Sequence, residues 1–193
     1  GKLAQKTWEA MFAEYAGADP DLAGEFTRRV KGELPAAWRT AIAHVGIAAH
    51  KAGEDIATRI ASRNVLNSIM PSALPALLGG AADLSPSVNT QWNGAKVVSA
   101  DAPGGQYIAY GVREFAMGEN MNGLALHGGF IPYVGTFLVF PDYAKTAIPP
   151  SALMNKCVVW GLTHASIGVG EDGAPHQPGE PDRTSRLLAG LRC

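Results

Sequence analysis

Cysteine is nearly absent from this chain, with two in 193 residues, Cys157 inside an apolar run and Cys193 at the end. That rules against a disulfide framework and fits a reducing, cytoplasm-like compartment. Neither sign of charge is in excess, 16 Lys and Arg standing against 17 Asp and Glu, so there is no electrostatic case for nucleic acid or an anionic membrane. No apolar run reaches the ~18 residues a bilayer span needs, and Gly1-Lys2-Leu3-Ala4-Gln5-Lys6 lacks the apolar core of a signal peptide. H-x-x-x-H, C-x-x-C and Walker patterns are missing too, which leaves no metal ligand to nominate. What is abundant is apolar residues, 47%, and glycine, 23 in number, enough for a real core with many tight turns.

The N-terminal third reads as helical. Trp8, Met11, Phe12 and Tyr15 form one stripe with Thr7 as its cap. Asp19-Pro20 opens a second helix carrying Leu22, Phe26 and Val30 at four-residue spacing. After Gly32 and Pro35 the chain reads as a connector to about residue 50, so residues 1–50 are expected to be a linker that packs on something else. From 51 to 193 the pattern alternates. Ala61, Val65, Leu66, Ile69 and Met70 predict a helix ending near Pro71. Leu77-Leu78-Gly79-Gly80, Ile108-Ala109-Tyr110 and Val158-Val159-Trp160 predict three strands, and Glu114 opens a helix running to about Leu126. Phe137-Leu138-Val139-Phe140 leads to Pro141-Asp142, another helix start, inside which Pro149-Pro150 should force a kink or a stop. Strands alternating with helices imply an α/β fold, a three-layer parallel sheet covered on both faces.

Polar groups fall where that alternation ends a strand or starts a helix. Glu114 follows an apolar strand in Gly111-Val112-Arg113-Glu114-Phe115, a position where α/β sheets bind ligands; taken alone it reads more readily as a first-turn helix charge. Arg59 and Arg63 begin a helix, Asp83 and Ser87 follow a strand, and His164 leads through a Gly-rich loop with Asp172 to His176-Gln177-Pro178. Together with His127-Gly128-Gly129 and Gly135-Thr136-Phe137-Leu138, these ordered blocks make the chain resemble transketolase from about Thr7 to Pro178, namely its linker and pyrimidine-binding domain.

That resemblance implies thiamin diphosphate as cofactor with Mg²⁺ or Ca²⁺, and transfer of a two-carbon ketol unit from a ketose phosphate to an aldose phosphate in the pentose phosphate pathway. It implies that Glu114 hydrogen-bonds the aminopyrimidine ring and drives its proton chemistry, with Phe137, Phe140 and Tyr143 around the ring and Asp83 approaching the cofactor. Arg59 and Ser87 match residues that hold the sugar phosphate, His164 and Asp172 match groups on the ketose hydroxyls, and His176 matches a histidine beside the reacting carbons. Arg63 and His127 are read as structural. It further implies a homodimer whose sites form between this domain and the diphosphate domain of the other subunit. That domain, with the metal ligands, is expected before residue 1, and the end of the pyrimidine domain after residue 193, so the segment alone is expected to be inactive. The pattern departs at Ala165, Ala174-Pro175, Pro149-Pro150 and the run Gly179 to Arg186. Dihydroxyacetone synthase is the neighbouring alternative and a non-catalytic binding or dimerisation module of the same fold the distant one; deoxyxylulose-phosphate synthase matches less well around the glutamate.

Overall fold

Four short strands, β1 (Leu77–Ala81), β2 (Tyr107–Ala109), β3 (Ile131–Phe137) and β4 (Val159–Thr163), form one parallel sheet in the order β2-β1-β3-β4. The computed structural model describes residues 1–70, 72–165, 173, 176–177, 179–187 and 190–191. All five residues of β1 are buried, as a strand covered on both faces requires. On one face, α3 (Trp38–Ala52) and α4 (Thr58–Ile69) pack through Ala41, Val45, Val65 and Ile69 onto Leu77 and Tyr133. On the other, α6 (Glu114–His127) sets Met117 and Met121 against Tyr110, Ala82 and Val134. The expected three-layer architecture is therefore present.

β3 was not among the strands expected, because it contains Pro132 and Gly135, residues that argue against a central strand. Pairing explains the proline. Ile131 gives its N–H to Ala76 O at 2.8 Å, so the next N–H along the strand faces the opposite neighbour, and β4 pairs only from Tyr133 onward. Pro132 sits in that gap and loses no ladder bond.

Other expectations need correction. Residues 38–52 are no connector but the helix α3, ended by Gly53 in the left-handed conformation. The first helix, α1 (Lys2–Ala18), starts well before Thr7, whose hydroxyl bonds Leu3 O inside it rather than capping it. Asp19-Pro20 does begin a helix, α2 (Pro20–Val30), but without a side-chain cap bond. The stripe Leu22, Phe26 and Val30 stays exposed, and only Phe26 finds a ring, Phe12 of α1 at 5.5 Å. The helix expected from Asp142 is instead a 3-10 turn over Phe140–Asp142, and a short helix α7 begins at Ile148. Pro149-Pro150 therefore lies in the first turn of α7, where the missing N–H groups have no intrahelical partner to lose, and kinks nothing. A last helix, α8, covers Pro181–Arg186, within the run that departs from the family pattern. Among the described residues, no helix is long and apolar enough to cross a membrane.

Candidate functional site

The chain leaves β1 for β2 on one side and then crosses to β3 on the other, so the order reverses between β1 and β3. In open parallel sheets that reversal opens a crevice at the carboxyl ends of the strands. A cleft of about 540 Å³ lies there, lined by Ala82, Asp83 and Leu84 after β1, Val112 to Phe115 after β2, and Phe140 and Tyr143 after β3. Three separate strand exits thus converge on one space.

Each exit has a local cause. Asp83 adopts φ +62 and Asn89 φ +57, the left-handed conformation that Asp and Asn tolerate better than other non-glycine residues. Between them runs the single-turn helix α5 (Ser85–Val88). β2 ends in Tyr110-Gly111, with Gly111 at φ +64. A Cβ there would stand 2.5 Å from Arg113 Nη1, which donates instead to Tyr110 O at 2.8 Å. Arg113 is thereby turned back onto the strand end, and Glu114 follows at the first position of α6. It is 6% exposed and lines the cleft; among the described residues, no ion pair engages its carboxylate.

The third exit stacks rings. Phe137 and Phe140 are 5.6 Å apart and nearly parallel, and Phe140 lies 5.9 Å from Tyr143. Phe140 and Tyr143 face the cleft, whereas Phe137 does not line it. Phe137 is buried with Ala81, Val88 and Tyr107, with the rings of His164 at 4.0 Å and His176 at 4.9 Å. His164 ends β4 at φ +58, and its Nδ1 is 2.8 Å from Thr163 Oγ1. The two histidine rings are 5.3 Å apart.

Of the residues singled out in the sequence, Asp83, Glu114, Phe140 and Tyr143 share the cleft. Phe137, His164 and His176 form a second group joined to it through Phe140. Arg59, in the first turn of α4, and Ser87, exposed on α5, are not among the residues lining the cleft, and Asp172 lies outside the described residues. Ala82, Leu84, Val112, Arg113 and Phe115 were missed as lining residues; the last three flank Glu114 in its own motif, which was the available signal. Also missed were three buried phenols beneath the site. Burial raises the Tyr110 phenol to about 12 and pushes Tyr133 higher still. It raises Tyr107 too, against the opposing pull of hydrogen bonds from Ser85 and Thr90. Burial favours the neutral phenol in all three, and Tyr107 and Tyr133 donate hydrogen bonds, to Ser85 Oγ and Thr90 O. Among the described residues, no three His, Cys, Asp or Glu side chains lie together in a way that could hold a metal ion.

Residues 54–193 match the family model "Transketolase, pyrimidine binding domain". The chain is 48% identical to transketolase 1 of Pasteurella multocida and 46% identical to transketolase 2 of Vibrio parahaemolyticus, with 99% of this chain aligned in each case. It spans 29% of the length of those relatives. Its fold superposes on a crystal structure of transketolase from Pichia stipitis in complex with sedoheptulose 7-phosphate. The TM-score is 0.87 and the identity 40%, over 97% of this chain and 28% of that one. Transketolase from Campylobacter jejuni gives a TM-score of 0.75 at 32% identity, over 98% of this chain and 27% of that one.

Proposed function

The chain belongs to the transketolase family, through its pyrimidine-binding domain, and we propose from that premise that it supplies one wall of a thiamin-diphosphate site for ketol transfer between sugar phosphates. The observation that carries the reading is the cleft at the sheet's switch point, which brings Asp83, Glu114, Phe140 and Tyr143 together from three strand ends. Its residues fit an aminopyrimidine. A carboxylate that has no ion-pair partner among the described residues faces the space at a helix start, and two aromatic rings 5.9 Å apart offer faces to a flat heterocycle. They do not fit a diphosphate and its metal. Those ligands, with Mg²⁺ or Ca²⁺, belong on this reading to a diphosphate-binding domain of a second subunit, in a homodimer in the cytoplasm. Residues 1–50 act as the interdomain linker and 51–193 as the pyrimidine-binding domain.

When bound, the cofactor supplies the electron sink for breaking and making a carbon–carbon bond. The chain's own residues hold and tune it. Glu114 would hold a proton at the pyrimidine ring nitrogen and exchange it there, in a cleft that Leu84, Val112 and Phe115 also line. Phe140 and Tyr143 fix the ring plane, Phe137 backs them, and Asp83 borders the cofactor from the β1 side. His164 and Asp172 hydrogen-bond hydroxyls of the donor ketose, and His176 stabilises charge on the substrate oxygen as it develops. Arg59 and Ser87 take the sugar phosphate, for which a guanidinium fork is suited.

Glu114→Gln in the full-length enzyme tests this. Gln keeps size and one hydrogen bond but cannot share a proton, so turnover should fall by about 10²–10⁴, the usual worth of a positioned acid or base. Cofactor affinity, followed by calorimetry, should change far less. Near-normal turnover at saturating thiamin diphosphate would overturn the role of Glu114.

A further inference from the structure

Beneath the cleft, buried hydroxyls that take no part in the chemistry above converge on the segment carrying Asp83 and Ser87. Tyr107 is 1% exposed. Its phenol donates to Ser85 Oγ at 2.7 Å and lies 2.8 Å from Thr90 Oγ1. A phenol has one hydrogen. With that hydrogen directed at Ser85, the Tyr107 oxygen receives the hydrogen of Thr90. Ser85 opens α5, and Thr90 comes directly after Asn89, which closes it. One side chain from β2 therefore clamps both ends of the segment. Tyr133 of β3 adds a third tie, donating to Thr90 O at 2.9 Å.

Strain and close packing show that the segment is held rather than resting. Asp83 and Asn89 bracket α5 in left-handed backbone, which persists in non-glycine residues when the surroundings fix it. The sheet leaves no slack below: a Cβ on Gly135 would stand 2.4 Å from Thr90 Cγ2 and 2.9 Å from Val88 Cγ2. Ser87, between the two clamped ends, is exposed.

The geometry points to Tyr107 as a positioning residue whose phenol, by gripping Ser85 and Thr90, sets where α5 presents Ser87 to the phosphate of a phosphorylated sugar. The inference rests on the ketol-transfer reading and deepens it at the phosphate end of the substrate. Removing the phenol oxygen leaves the buried Thr90 hydroxyl and the half-buried Ser85 hydroxyl without this partner, and such groups recover a hydrogen bond by moving. Glu114 sits on α6, outside the clamped segment.

The test is Tyr107→Phe in the full-length enzyme, assayed with ribose 5-phosphate and with unphosphorylated glycolaldehyde as acceptors. KM for ribose 5-phosphate should rise about five- to tenfold, the scale of one lost hydrogen bond. KM for glycolaldehyde and kcat should stay within about twofold, as expected when ground-state anion binding alone is lost. Thr90→Val removes one of the two grips and should give a smaller rise in the same direction. If Tyr107→Phe does not fold, Thr90→Val carries the comparison. In a Ser87→Ala background, Tyr107→Phe should add nothing, because the residue it positions is gone. Equal losses for both acceptors, or a full Tyr107→Phe effect retained without the Ser87 hydroxyl, would overturn the positioning role. A wild-type enzyme without ketol transfer would overturn the functional reading and this inference with it. An active wild type in which Ser87→Ala raises KM while Tyr107→Phe and Thr90→Val are silent would overturn this inference alone.

Discussion

Gly79→Ala puts a single methyl group where the sheet has no room for it. A Cβ at residue 79 would stand 2.2 Å from Tyr133 Cζ and 2.3 Å from its hydroxyl oxygen, against about 3.5–4.0 Å for an ordinary carbon contact. The ring must retreat by more than 1 Å. It cannot do so freely, because Tyr133 is buried with Ile69, Met70, Ala73 and Leu77 and its hydroxyl bonds Thr90 O. Overpacking of this kind costs about 1–3 kcal/mol, and stranding a buried hydrogen-bonding pair about another 1–3. Alanine's lower backbone entropy in a strand returns about 0.5–1 kcal/mol. The net is about 1–5.5 kcal/mol, which at about 2 kcal/mol per molar lowers a urea midpoint by roughly 0.5–2.7 M. The assay is urea unfolding followed by far-UV circular dichroism, with an unchanged slope as the check that both states keep their compactness. Tyr133→Ala by itself should cost about 3–5 kcal/mol. In that background Gly79→Ala should be close to neutral, since the ring it collides with is gone. A midpoint within about 0.2 M of the parent for Gly79→Ala, or strict additivity in the double mutant, refutes the steric argument.

Two further outcomes follow from other side chains. In the full-length enzyme, Arg59→Ala should raise KM for phosphorylated substrates about tenfold or more, the worth of a hydrogen bond to a charged group, and spare unphosphorylated ones; equal losses on both count against its phosphate role. Glu25 joins Arg28 and Arg29 at 2.7 Å, and their guanidinium groups hold its carboxyl down at about 2, from an ordinary 4.5. A depressed acid stabilises the fold above the unfolded value and loses that contribution as pH falls from about 4.5 to about 2. The side chain is about a third exposed, so the contribution is discounted to at most about 1 kcal/mol. Glu25→Gln should remove it, leaving a flatter stability profile across that range in acid titration, and an identical slope in both proteins contradicts the pairing.

What could be read from the sequence was read where a residue's local role and its role in the fold agree. Leu77-Leu78-Gly79-Gly80 reads as a buried strand and is one. Asp19-Pro20 marks a helix start because proline suits a helix's first turn wherever that helix lies. The same fact misled at Pro149-Pro150. Nothing in the chain says whether two prolines stand inside a helix begun at Asp142 or open a new one at Ile148, and only the 3-10 turn that precedes them decides. Pro132 hid β3 for a similar reason. Its tolerance depends on β4 pairing one residue later, which is register, and register is not local. Helix α3 was hidden by composition: alanines, two histidines and a glycine make a weak stripe, and its partner is the α4 face that Ala41 and Val45 contact.

The cleft was legible in part: Asp83, Glu114, Phe140 and Tyr143 line it together, whereas Arg59 and Ser87 do not. The motif around Glu114 announces a carboxylate after a strand, and the order β2-β1-β3-β4 makes that strand end a neighbour of Asp83 and Phe140. Aromatic spacing places Phe137, Phe140 and Tyr143 together without telling which of them faces solvent. The strand ends at Phe137 and the turn begins at Phe140, so the first ring goes under the surface while the third stands 66% exposed. Burial does not remove Phe137 from the site. Phe140 lies against it at 5.6 Å and His164 at 4.0 Å, so its ring touches both the turn after β3 and the residue that follows β4. Reading it as either core or pocket poses a false choice. A ring packed this closely fixes the distance between the groups that would hold a cofactor and those that would meet a substrate, because any shift of one face is felt at the other.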